Sequence, residues 1–110
     1  MLKSTINAMD NVRKTYETIE NVLEKATKRL ELAEIDFDHS SWYIEELERH
    51  YLIYEDEATK EKLDKAYADY TIYHNRYNAI YDDCEKLKGM VETLKDIETE
   101  LYYCFNDVDD

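Results

Sequence analysis

Three histidines, two cysteines and a dense set of carboxylates are the side chains of this sequence that could do chemistry. His39, His50 and His74 could ligate a metal. In an antiparallel helical pairing His50 and His74 fall at comparable heights, with Glu46 one helical turn from His50. The Glu-x-x-His pairs of a di-iron bundle are absent, as are HExxH, a calcium-binding EF-hand loop and paired CxxC. No metal and no other cofactor is expected. Cys84 and Cys104 are too few for a disulfide framework. On one straight helix they stand roughly 30 Å apart, beyond bonding reach. Two free thiols point to a reducing compartment, and Cys84 reads as a small core residue. The single glycine, Gly89, cannot build a phosphate-cradling loop. Ser40 and Ser41 read as cap or kink residues, and no Ser–His–Asp arrangement follows from the spacing. Carboxylates on a solvated helix lack the burial that tunes a catalytic pair. No catalytic residue is assigned, and the chain is expected not to be an enzyme.

The carboxylates nevertheless have a pattern. Glu31, Glu34, Asp38, Glu45, Glu48 and Glu55 follow gaps of three, four, seven, three and seven. That spacing makes a row on one helix face over roughly 36 Å. Glu46, Asp56 and Glu57 thicken it. Residues 31–57 hold one cation and ten carboxylates, whereas residues 58–90 balance at six and six. Carboxylates repeated at every turn match, in charge and rough spacing, a line of backbone phosphates. In charge and size the chain resembles small phage proteins that inhibit enzymes by DNA mimicry. The resemblance implies a basic partner protein, such as a nucleic-acid-processing enzyme, whose surface the acidic row would occlude. Trp42, Tyr67 and Tyr81 lie off the seam described next and complete the expected partner-binding set. A net charge of −13 and the absence of a basic stripe disfavour direct nucleic-acid binding.

These side chains must be positioned by long helices. The chain has no proline and one glycine, so little punctuates it. From Met9, steps of three and four give Val12, Tyr16, Ile19, Leu23, Ala26, Leu30, Ala33, Phe37, Ser40, Ile44, Leu47, Tyr51, Tyr54 and Ala58. The phase then breaks. It resumes at Leu63 with Ala66, Tyr70, Tyr73, Tyr77, Ile80, Cys84, Leu87, Val91, Leu94, Glu98, Leu101 and Phe105. Only Ser40 and Glu98 are polar in a coiled-coil-like seam of this length. The reading is a single all-α domain over 1–110, with one helix at about 3–56 and a turn at about 57–60. A second helix follows at about 60–106, with an acidic tail at 107–110. Thr59 is the expected N-cap of the second helix. Tyr70, Tyr73 and Tyr77 are expected to pack near Tyr51, Leu47 and Ile44. The alternative is a three-helix bundle broken near Asp38–Ser41, where "DFDHSS" could start a new helix.

A lone antiparallel helical hairpin buries one narrow stripe. Trp42, Tyr43, Leu52, Ile53, Ile72 and Tyr81 also lie off it, so a homodimer forming a four-helix bundle is expected. No apolar run reaches membrane-spanning length, and the opening "MLKSTINAMDNVRK" lacks an apolar signal core. A cytoplasmic protein without a membrane partner is expected. Its richness in Lys, Asn, Ile and Tyr suits an AT-rich bacterial or phage genome. The runner-up function is a structural coiled-coil adaptor or assembly factor, and behind it a small helical metal-dependent enzyme or ligand-sequestering bundle.

Overall fold

The computed structural model describes residues 3–109, and their side chains except those of Thr5 and residues 105–109. Two helices, α1 (Lys3–Tyr54) and α2 (Glu57–Asp109), pair as an antiparallel helical hairpin, with no strand among the described residues. Phe105 and the carboxylates of 107–110, assigned to the seam end and the tail, lie outside the described side chains. No described helix is long and apolar enough to cross a membrane.

The heptad seam is what pairs the helices. Every seam residue from Met9 to Tyr51, and from Leu63 to Leu101, is buried or half-buried. Tyr54 and Ala58, at the turn, are exposed. α1 runs unbroken through Asp38–Ser41, so the three-helix alternative does not form. Ser40 is buried on the seam, and its small side chain keeps the phase rather than ending it. Thr15, Thr18 and Thr27 in α1 donate their hydroxyls to carbonyls four residues back, which satisfies the hydroxyls at a small cost to the helix.

The chain divides into two compact units: a turn unit, Lys28–Asp82, and a terminal unit, Met1–Thr27 with Asp83–Asp110. In the turn unit Ala33, Ile44, Leu63 and Ala66 are buried. Phe37 of α1 packs against Tyr70, His74 and Tyr77 of α2, with ring centroids 5.0, 5.4 and 6.0 Å away. In the terminal unit Cys84 and Val91 are buried, Arg13 reaches Glu98 at 3.7 Å, and Lys95 lies over the Tyr16 ring at 5.8 Å. Gly89 sits inside α2, exposed, and a Cβ built there meets nothing within 4 Å. Glycine in a helix interior costs about 1 kcal/mol relative to alanine.

The turn differs from the expected one. It consists of Glu55 and Asp56, ahead of the expected 57–60. Glu55 adopts φ 47, the left-handed cap that follows a helix, and its N–H donates to the Tyr51 carbonyl at 2.8 Å. Asp56, rather than Thr59, is the N-cap of α2. Its Oδ2 accepts the Thr59 N–H at 3.1 Å and the Thr59 hydroxyl at 2.8 Å. The hydrogen bond from the Thr59 hydroxyl is the main reason the Asp56 carboxyl lies below its ordinary pKa; the His50 charge adds a little. Thr59 is buried on an extension of the second seam, which leaves it no freedom to cap. Shortening α1 while starting α2 earlier shifts cross-helix pairing by twice the displacement of the turn. Tyr70 and Tyr77 therefore meet Phe37, instead of the Ile44–Tyr51 stretch.

Candidate partner-binding face of the turn unit

All nine expected partner-binding residues fall in the turn unit. Glu31, Glu34, Asp38 and Glu45 are exposed on α1, and their gaps of three, four and seven residues keep them on one side of the helix. Trp42 stands among them at 62% exposure. Leu32 and Ile35 are also exposed on α1 and were absent from the sequence-based set. Both sit two positions beyond a seam residue, which on a helix points away from the seam; that offset was the available signal.

The acidic row divides at Glu48. The Tyr67 hydroxyl of α2 donates to Glu48 Oε1 at 2.6 Å, so these two expected contact residues are engaged with each other. That hydrogen bond is the first cause of a raised Tyr67 pKa, followed by desolvation and by the charges of Glu48 and Asp64. Glu55 belongs to the turn, where its backbone rather than its carboxylate has the defined role. Tyr81 is half-exposed on α2, its ring stacked on Tyr77 at 6.2 Å. The structure thus sets Glu31, Glu34, Asp38, Trp42, Glu45 and Glu48 along α1, with Glu48 engaged by Tyr67, and leaves Glu55 at the turn and Tyr67 and Tyr81 on α2.

Arg49 is the one cation of residues 31–57. It bonds Glu46 at 2.8 Å and approaches Glu45 at 3.9 Å. It therefore offsets the thickened part of the row, and both bonds are exposed pairs of small energetic weight. Beside the face, Asp36, His39, Ser40 and Tyr43 of α1 border a groove of about 310 Å³ that Ala66, Asp69 and Tyr73 of α2 close. A smaller groove of about 220 Å³ continues from Tyr43 and Asp69 to Lys62 and Lys65.

The histidines do not converge. His50 packs beside Tyr54 at 4.5 Å, with its Nε2 3.6 Å from Asp56 Oδ1, an oxygen that accepts no hydrogen bond. His74 sits against Phe37 and bonds Asn78 at 3.0 Å. The expected equal heights of His50 and His74 fail, because His74 lies across from Phe37 while His50 sits beside the turn. Among the described residues no group of three His, Cys, Asp or Glu side chains could hold a metal ion. What the face offers is a row of anions edged by aromatic and aliphatic surface. Comparison with protein-family models, with curated proteins and with solved structures gives no match to the chain.

Proposed function

We propose that the protein is a non-enzymatic acidic binding protein whose α1 face in the turn unit covers a basic, nucleic-acid-engaging surface of a partner protein. The observation that carries this reading is the exposed row Glu31, Glu34, Asp38 and Glu45 around Trp42. The steps of three and four residues set Glu31, Glu34 and Asp38 about 4.5–6 Å apart along the axis, and the step of seven sets Glu45 about 10.5 Å further on. A DNA strand carries a charge about every 3.4 Å of axis, the same order of spacing. Charge of this kind accelerates encounter and rejects acidic partners, whereas Trp42, Leu32 and Ile35 supply the contact area that holds a complex.

The test is a pull-down from the native host's lysate at low salt, eluted by raising salt. Recovery of a DNA- or RNA-processing enzyme that duplex DNA displaces supports the reading. The variant carrying Glu31→Lys, Asp38→Lys and Glu45→Lys should lose that enzyme, by at least tenfold in affinity, with its helicity intact. Undiminished binding by this variant refutes the acidic-face idea. Glu48 and Glu55 are left out because one is bonded to Tyr67 and the other forms the turn.

A second reading, a coiled-coil adaptor or assembly factor, draws support from the seam itself. Most of its residues stay half-buried in the single chain, so the stripe has surface left for another helix. Binding through that stripe should be largely indifferent to salt, and the acidic row would then only keep the protein in solution.

A further inference from the structure

The two adjoining grooves of the turn unit differ in charge. Asp36 of α1 and Asp69 of α2 border the first, of about 310 Å³, which no lysine or arginine lines. Lys62 and Lys65 of α2 border the second, of about 220 Å³, which shares Tyr43, Ala66 and Asp69 with the first. Among the described residues none of these four charged side chains forms an ion pair or a hydrogen bond. Ser40 adds a polar group to the wall of the first groove. It is only 9% exposed, and among the described residues its hydroxyl has no hydrogen-bond partner. A hydroxyl buried and unbonded is unfavourable, and a ligand that bonds it removes that cost. Asp36 stands one helical turn before Ser40, and Tyr43 three residues after it, so carboxylate, hydroxyl and ring share one side of α1. Arg76 already lies over the Tyr73 ring at 5.7 Å, which leaves Tyr43 as the ring to cover a ligand.

We propose that the joined grooves bind a small zwitterion, with a primary ammonium at one end and a carboxylate at the other. An ammonium has three N–H donors and no acceptor. Asp36, Ser40 and Asp69 offer it three acceptors, two of them charged. Lys62 and Lys65 meet the carboxylate. They precede Asp69 by seven and four residues on α2, about 10 and 6 Å along its axis, which sets the distance between the ligand's charges. The alkyl spacer between them lies against Tyr43 and Ala66, which both grooves share. A simple cation leaves the lysines unanswered, and a simple anion meets the two carboxylates. The site is independent of the acidic face proposed above, none of whose residues lines either groove.

Calorimetric titration of the full chain with three probes of one length tests this: 6-aminohexanoate, hexylamine and hexanoate. The zwitterion should bind saturably, and each singly charged probe at least about tenfold more weakly. Ser40→Ala introduces a better helix former, so helicity should hold while affinity for 6-aminohexanoate falls about fivefold. Asp69→Asn should weaken it about tenfold. Lys62→Gln with Lys65→Gln should erase its advantage over hexylamine. Failure of 6-aminohexanoate to saturate the wild-type chain by about 10 mM overturns the proposal. So does equal binding of hexylamine by the wild type, or undiminished affinity in Ser40→Ala.

Discussion

The turn unit and the terminal unit have nearly the same charge and distribute it in opposite ways. The turn unit has seven cations and fourteen carboxylates, net −7, and the terminal unit seven and thirteen, net −6. In the turn unit −6 of this lies on residues 28–56 and −1 on residues 57–82. In the terminal unit residues 1–27 are neutral and residues 83–110 hold all −6. Cross-helix chemistry differs to match. In the terminal unit the neutral segment reaches over with a cation, Arg13 to Glu98, at a half-buried seam carboxylate. In the turn unit the link is a neutral donor, Tyr67 to Glu48, which orients one carboxylate without cancelling its charge. Each unit also ties a tyrosine to a carboxylate. Tyr16 is raised chiefly by its bond to Glu20 within α1, while Tyr67 uses its bond to join the two helices. Net charge alone hides the difference; what matters is which helix bears the charge and whether its neighbour answers with a cation.

The largest test of the comparison removes core from one unit at a time. Leu63→Ala should cost about 3 kcal/mol and Val91→Ala about 2 kcal/mol, both being buried. Hydrogen exchange should show lost protection chiefly across Lys28–Asp82 for the first and across the terminal unit for the second. Equal loss everywhere from both variants breaks the division into units. Next in size is the turn. Glu55→Gly should stabilise the chain by about 1 kcal/mol in urea unfolding, because glycine accepts positive φ without a Cβ clash. Glu55→Ala keeps that Cβ and should gain little; an equal gain from both would show that the charge, rather than the backbone, was the cost.

The smallest effect concerns the turn unit's neutral link. Tyr67→Phe deletes a half-exposed hydrogen bond and should cost about 0.5 kcal/mol. Its pH signature is more telling. Folding raises the Tyr67 pKa above 10.0, so the link contributes fully below that value and fades as pH climbs through the raised one. Wild type should therefore lose its advantage over Tyr67→Phe in strongly alkaline melts. An advantage unchanged by pH would show that packing of the ring, and not the hydroxyl, joins the helices.

Most of the fold was legible because the seam is long and its period unambiguous. Residues such as Leu23, Phe37, Ile80 and Leu94 all turn inward as the three-four stepping requires. The turn was legible only to within a few residues. "EDEAT" contains two good capping residues, Asp56 and Thr59, and sequence alone does not say which is needed for packing. Glu55 gave no sign of its backbone, because positive φ is usually marked by glycine or asparagine. That small displacement propagated into wrong partners for the tyrosines. In the candidate face, Glu31, Glu34, Asp38, Trp42 and Glu45 could be read from helical spacing, since they answer only to their own helix. Glu48 and Tyr67 could not, because their engagement depends on cross-helix register.

Cys84 is 1% exposed and Cys104 is exposed, both within the terminal unit. The pair gives that unit an internal clock. A thiol reagent meets Cys104 at the rate set by the reagent, but Cys84 only after the helices part around it. The ratio of the two labelling rates therefore records how often the terminal unit breathes, without any probe being added to the chain.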